Sequence, residues 1–269
     1  MEPSSKLVVV RGAGDLASGT IHALVSAGRP VIALETEKPM AIRRKVCFSE
    51  AVYEGETCVE GVCARLAADP QEALCIALSG CAAVLVDPDC GILEHVRPAV
   101  LIDATLAKYN PGTRRDMAPL TVALGPGFTA GKDVDYVVET MRGPGLGRII
   151  AEGTAMADTG VPGMVGGYAA ERVIHSPAGG ILRGIRSIGD PVRKGELIAQ
   201  IETGQGTVPV PAKISGVLRG LIRDGYLVEK GLKIADIDPR ADSYPLCFQI
   251  SDKSRRIAQS VLEIIEKDI

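Results

Sequence analysis

The 269 residues carry a formal charge of −3, are 46% hydrophobic and include three Phe and no Trp. That apolar fraction can build a core, and the length predicts two domains, or one domain with a large appendage. Scarce aromatics and the lack of a basic block argue against nucleic acid and anionic membrane as partners.

The chain order begins with Leu7-Val8-Val9-Val10, a first strand that runs straight into Gly12-Ala13-Gly14-Asp15-Leu16-Ala17-Ser18-Gly19. This run of four is too short for a leader. No segment approaches the roughly 18 apolar residues of a membrane span, so a cytoplasmic location is expected. A β-branched run ending in Gly-x-Gly before a helix is how a strand hands over to a phosphate-cradling helix N-terminus. Gly12 would allow the tight turn, Gly14 the close approach of a phosphate, and Ala17 close helix–strand packing; Ser18 and Gly19 complete the candidate set. The same turn also opens βα units that bind no nucleotide, and the Asp15 carboxylate would repel a pyrophosphate. Ala17, Ile21, Leu24 and Val25 keep helical spacing until Gly28. Val31-Ile32-Ala33-Leu34 is the second strand. Glu35 stands at its end, where an acidic residue would meet a ribose hydroxyl.

A polar, basic insertion follows over 42–53, then helical patterns at Cys63–Ala68 and Pro70–Leu78. Ala82–Val86 reads as the third strand, and Val100-Leu101-Ile102, ending in Asp103, as the fourth. Leu120–Leu124 is the fifth and Tyr136-Val137-Val138 the sixth. Apolar runs alternating with helices predict an α/β fold: a Rossmann-like, doubly wound, mainly parallel sheet. Ligands bind such sheets beyond the carboxyl ends of the strands. That edge should gather Asp103, Lys108, Asn110 and Thr113, the second glycine loop with Gly125, Gly127 and Thr129, and the pair Arg142 and Arg148. Lys108 could neutralise a phosphate, Asn110 and Thr113 could hydrogen-bond it, and Gly125–Gly131 could form an anion nest. The glycines also suit an ordinary turn, and the arginines an ordinary linker.

Six of the seven cysteines lie between Cys47 and Cys90, with no Cys-x-x-Cys and no zinc-like spacing. No metal site is expected, and reduced, buried thiols are the general expectation. Cys90, in a loop after the third strand, is the candidate reactive thiol, although Asp87 and Asp89 would raise its pKa. His22, His95 and His175 form no constellation.

The expected domains are 1–145, 146–240 and a C-terminal segment and helix over 241–269. The second contains a repeat: residues 180–201 recur at 216–237 with eleven identities in 22 positions. Each unit is too small to bury a core alone, so the two should pack as one β domain. Pro177, Gly180, Gly189, Asp190, Val192, Gly195 and Ile201 resemble the biotinyl/lipoyl hammerhead. Gln205 and its neighbours stand where a carrier would have its lysine, so covalent biotin or lipoate is not expected. Ser251 opens a terminal helix with Ile257, Ala258, Val261, Leu262 and Ile265 on one face.

Taken together, residues 11–19, Arg43-Arg44 with Phe48–Gly55, Ala107-Lys108-x-Asn110-x-Gly112-Thr113, Gly125–Gly131 and Glu139-Thr140-x-Arg142-Gly143 with Leu146-Gly147-Arg148 resemble a known family. It is that of the accessory proteins of the selenium-dependent molybdenum hydroxylase system. Pro144 departs from it, where a His is expected. The resemblance implies a hydroxylase maturation factor, related to the xanthine dehydrogenase accessory proteins, which also have a Rossmann domain. The glycine turn, Lys108 and the second glycine loop would then hold a nucleotide or the phosphate of a molybdopterin-type cofactor. The β domain would dock a molybdenum hydroxylase or another maturation protein, and homo-oligomers fit equally. The alternatives are an NAD(P)-dependent oxidoreductase, with Glu35 favouring NAD, and a non-catalytic scaffold.

Overall fold

The computed structural model describes residues 4–269. It divides into two units: one through Pro39, Cys47–Thr159 and Ile250–Ile269, the other Met40–Val46 and Gly160–Gln249. Among the described residues, no helix is long and apolar enough to cross a membrane.

The first unit runs β1 (Ser4–Arg11), α1 (Asp15–Ser26), β2 (Val31–Glu35), α2 (Ala51–Glu54), β3 (Glu56–Val59), β4 (Val62–Ala67), α3 (Pro70–Leu78), β5 (Ala82–Val86) and β6 (Pro98–Asp103). It continues through β7 (Leu120–Leu124), β8 (Thr129–Ala130), β9 (Tyr136–Val138), β10 (Ile149–Ile150) and β11 (Gly153–Thr154), and closes with α4 (Asp252–Asp268). Nine strands form one sheet in the order β10-β9-β7-β6-β1-β2-β5-β4-β3. The strands from β4 to β9 pair in parallel, while β3 and β10 are antiparallel edges. β6 and β7 are buried at every residue, as strands covered on both faces must be.

The expected doubly wound, Rossmann-like sheet is corrected to a large mixed sheet with a C-terminal helix, its central strands parallel and its two edge pairings antiparallel. Two physical reasons stand behind the difference. The β6–β7 connection cannot be helical. Leu106, Lys108 and Gly112 all have positive φ, and only a short 3-10 turn, Arg115–Met117, forms there. The cover it fails to supply comes from α4, which packs on α1, β7 and β9. The helix buries Ile257, Ala258, Val261, Ile264 and Ile265. Ser251 caps its start, its hydroxyl accepting from Ser254 N at 3.1 Å. The second correction concerns Cys63–Ala68, expected as helix. Glu60 and Gly61 both have positive φ and make the tight turn that folds β3 back on β4.

The second unit holds β12 (Val173–His175), β13 (Gly180–Gly184), β14 (Pro191–Val192), β15 (Leu197–Thr203), β16 (Gly206–Pro211), β17 (Gly216–Leu221), β18 (Leu227–Val228) and β19 (Lys233–Asp238). They form two four-stranded sheets, β12-β19-β17-β14 and β16-β15-β13-β18. The registers repeat at the offset of the sequence repeat. Leu182 faces Ile201 where Leu218 faces Ile237. Gly180 faces Val228 where Gly216 faces Val192, so each sheet borrows one strand from the other half. Ile198, Ile201, Ile234, Ile237, Leu182 and Leu218 fill the shared core. The biotinyl/lipoyl-like assignment is corrected to this duplicated pair of antiparallel sheets.

Candidate functional site

The carboxyl ends of β1, β2, β6, β7 and β9 gather most of the expected residues, and the geometry sorts them by what they touch. Arg11, at the end of β1, is buried, and Asp103, at the end of β6, is fully so. The Arg11 guanidinium donates to Asp103 Oδ2 at 3.2 Å, Thr113 Oγ1 at 2.6 Å and the Pro88 carbonyl at 3.0 Å. The other Asp103 oxygen accepts from Thr105 N at 3.1 Å and Thr105 Oγ1 at 2.7 Å. Asn110 accepts from Gly112 N and Thr113 N through Oδ1 and donates to the Thr113 carbonyl. Asp103, Asn110 and Thr113 thus anchor their own loop, and Arg11, absent from the expected set, is the centre of the network.

The glycine turn divides in the same way. Gly12 has φ +93, and a Cβ there would lie 3.2 Å from the Ala104 carbonyl. Gly19 is demanded by helix packing, since its Cβ would come within 2.7 Å of Ser254 Cβ on α4. Ala17 and Ser18 are buried. The Ser18 hydroxyl donates to the Ala13 carbonyl at 2.9 Å and accepts from Phe48 N at 2.8 Å, binding the turn to the segment that follows Cys47. Glu35 accepts from Ala13 N at 2.8 Å and from Thr36 N at 2.9 Å, so it closes the turn from the end of β2. Gly14 stands apart. It is the N-cap of α1, with φ −72°, no side chain caps the helix, and a Cβ there would meet nothing within 4 Å.

In the second glycine loop, a Cβ on Gly127 would lie 2.6 Å from Tyr109 N, and one on Gly125 2.8 Å from Thr140 Oγ1. Both glycines let two loops close on each other. Thr129 and Lys108 line a groove of about 480 Å³ together with Phe128, Thr154 and Asp158. The Lys108 ammonium pairs with Asp158 at 2.5 Å, both side chains partly exposed. Glu139 is buried and accepts from Met141 N at 2.7 Å and Met156 N at 2.8 Å. Arg142 pairs with Asp252 through both of its terminal nitrogens, each at 3.0 Å, and Arg148 is exposed.

That contact brings the start of α4 to the same edge and with it Lys253, which the sequence reading passed over. Burial, then the nearby Arg142 charge, holds the Lys253 ammonium below the usual lysine range, opposed by Asp15, Glu139 and Asp158. Asp15 is turned toward α4, its Oδ1 lying 3.5 Å from Ser254 Oγ. The only sequence signal was a lysine in the first turn of a helix, which says nothing of where that turn docks.

Cys90 is buried, with φ +62. Burial first, and then Asp87, Asp103 and Asp89 against an opposing Arg11, pushes its thiol up to about 11. It is protonated at neutral pH. Cys75 is exposed, while Cys47, Cys90 and Cys247 are buried. Brief alkylation of the native protein at pH 8 should therefore label Cys75 and leave those three unmodified until denaturant is added. Peptide mapping by mass spectrometry checks this, and early labelling of Cys90 would contradict the burial argument.

No family model matches the chain. It is 52% identical over 205 residues to YqeB of Escherichia coli K12, a protein described as uncharacterized; the match covers 75% of this chain and 38% of that protein. The chain thus spans about two fifths of the length of this curated relative. Among solved structures, a succinylglutamate desuccinylase/aspartoacylase from Rhodobacter sphaeroides overlaps 90% of this chain and 87% of its own, at 14% identity and a TM-score of 0.32. An aspartoacylase family protein from Mesorhizobium loti overlaps 87% and 85%, at 14% identity and a TM-score of 0.30. The ectoine utilization protein EutE (DoeB) of Ruegeria pomeroyi overlaps 87% and 86%, at 13% identity and a TM-score of 0.27.

The resemblance to the molybdenum hydroxylase accessory proteins is corrected here: the curated relative that matches in sequence is described only as uncharacterized. None of the four proteins named above is described as a molybdenum, selenium or molybdopterin protein, and none as a biotinyl or lipoyl domain. The maturation-factor reading falls with it, as do the oxidoreductase and scaffold alternatives. Likenesses this weak, at 13–14% identity and TM-scores of 0.27–0.32, transfer no activity from the desuccinylase and aspartoacylase structures to this chain.

Proposed function

We propose that the carboxyl edge of the nine-stranded sheet binds a small phosphate-bearing ligand, of which nucleotides are the class to test, at the N-terminus of α1. Gly14 carries the reading. Its φ of −72° suits any residue, and nothing in the chain lies within 4 Å of where its Cβ would be. The protein's own packing gives no reason for glycine there, whereas a ligand pressed against the backbone does. Two further features support it. The twelve-residue helix begins without a side-chain cap, leaving amide donors and the positive end of the helix dipole for an anion. Lys253 adds a positive charge near Asp15. A cytoplasmic location, where such ligands are abundant, belongs to the same proposal.

The test is calorimetric titration of the full chain with ATP, NAD and pyrophosphate. Saturable binding of at least one is expected. Gly14→Ala should weaken it at least roughly tenfold while changing stability by no more than about 1 kcal/mol. Lys253→Met should weaken it by a similar factor. Saturation by none of the three, or wild-type affinity in G14A, would overturn the proposal.

A further inference from the structure

The hairpin of β3 and β4 lies apart from that edge and has its own chemistry. Cys58 stands directly opposite Cys63, the two Cα atoms are 4.0 Å apart, and the sulfurs are joined in a disulfide. This pair is the exception to the general expectation of reduced cysteines, the other five being free. Glu56 precedes Cys58 by two positions, so strand geometry sets it on the same face. One ligand atom from each of Glu56, Cys58 and Cys63 lies within 4.8 Å of the others, and the two cysteines are exposed or half-buried.

The hairpin is held at both ends by contacts that do not involve sulfur. At its tip, Glu60 accepts from Ile250 N at 2.9 Å and from Arg255 Nη2 at 2.7 and 2.6 Å. Along its other side, β4 pairs with β5. Breaking the disulfide would therefore leave the two cysteines facing each other across the ladder. Two thiolates bound tetrahedrally at about 2.3 Å from one cation sit about 3.8 Å apart, a separation that cross-strand neighbours reach without moving backbone.

We propose that Glu56, Cys58 and Cys63 form a site for a zinc-class divalent cation that opens when the disulfide is reduced. A dithiol reductant supplies two electrons and two protons; the protein gains two thiols and the reductant becomes a disulfide. Cation binding then releases both thiol protons and forms two metal–thiolate bonds, the Glu56 carboxylate is the third ligand, and water fills the fourth position. Two thiolates select a borderline-soft ion over magnesium or calcium. Arg65, whose Nε is 3.9 Å from Glu56 Oε2, is the group the cation must displace; both side chains are about half exposed, so that pair is weak. Cys81 is not part of this cluster, and its thiol donates to the Cys63 carbonyl at 3.0 Å.

The test uses the full chain, reduced with a phosphine that is then removed, and titrated anaerobically with Co²⁺ as a spectroscopic stand-in for zinc. The reduced protein should take up one equivalent with a thiolate-to-metal charge-transfer band, and Zn²⁺ should bleach it. The oxidised protein should show no band, and the double variant C58S/C63S should lose it when reduced. E56Q should weaken binding roughly tenfold, as loss of a ligating group requires. No band in the reduced wild type, a band that survives in C58S/C63S, or unchanged affinity in E56Q would each overturn the three-ligand site. The oxidised wild type serves as the folded comparator if a variant does not fold. The readout is independent of phosphate ligands, so it can fail while the α1 site stands.

Discussion

Asp103→Ala is expected to lower the stability of the first unit by about 3–5 kcal/mol, because it leaves the buried Arg11 charge without its counter-charge. Asp103 is fully buried, and its two oxygens accept four hydrogen bonds, from Arg11, Thr113 and, twice, Thr105. An alanine would also leave Thr113 and Thr105 short of an acceptor. The cost should appear as a shift of the urea midpoint at unchanged m-value. The double replacement R11M/D103L should recover a large part of the loss, because a buried pair exchanged for apolar groups of similar volume is often neutral. A D103A variant within about 1 kcal/mol of wild type would show that Arg11 finds another partner.

Gly180→Ala and Gly216→Ala are expected to destabilise the second unit by at least about 3 kcal/mol each, and by similar amounts. A Cβ on Gly180 would strike the Glu202 carbonyl oxygen and come within 2.8 Å of Ile201 Cγ2. A Cβ on Gly216 would strike the Asp238 carbonyl oxygen and come within 2.9 Å of Ile237 Cγ2. Backbone in a paired strand cannot yield as the end of a flexible side chain can. The equality is the sharper part of the expectation, since both clashes recur at the repeat offset. Thermal or urea melts of the two variants would test it. A loss in one and not the other would mean that the halves, alike in register, differ in how far they relax.

Much of the local structure was legible. Val8–Val10, Val31–Leu34 and Ala82–Val86 are continuous apolar runs and Leu120–Leu124 is apolar apart from Thr121, and strands of the large sheet lie on all four. Such runs report burial on both faces, which is a local property. The helix at Cys63–Ala68 was misread because a six-residue strand at a sheet margin has mixed burial, which resembles a short amphipathic turn. Its tell was Glu60-Gly61, a two-residue hairpin turn.

The sequence by itself determined the positions of the apolar strands β1, β2, β5, β6, β7 and β9, the glycine turn, the first turn of α4 and the internal repeat. All four are written in spacing along the chain, where neighbours or an identical copy supply the comparison. Only the tertiary structure decided what the polar groups do. Whether Asp103 serves a ligand or Arg11 depends on a residue 92 positions away. Whether Gly19 serves a phosphate or α4 depends on Ser254, and Lys253 reaches the sheet edge only because α4 supplies the cover that the β6–β7 loop does not. Hydrogen bonds, charge pairs and steric contact act over a few ångströms of space and are indifferent to separation along the chain. Of the first turn's Gly12, Gly14 and Gly19, only Gly14 has nothing within 4 Å of where a Cβ would be, and Cys58 and Cys63 are a pair that strand register sets face to face.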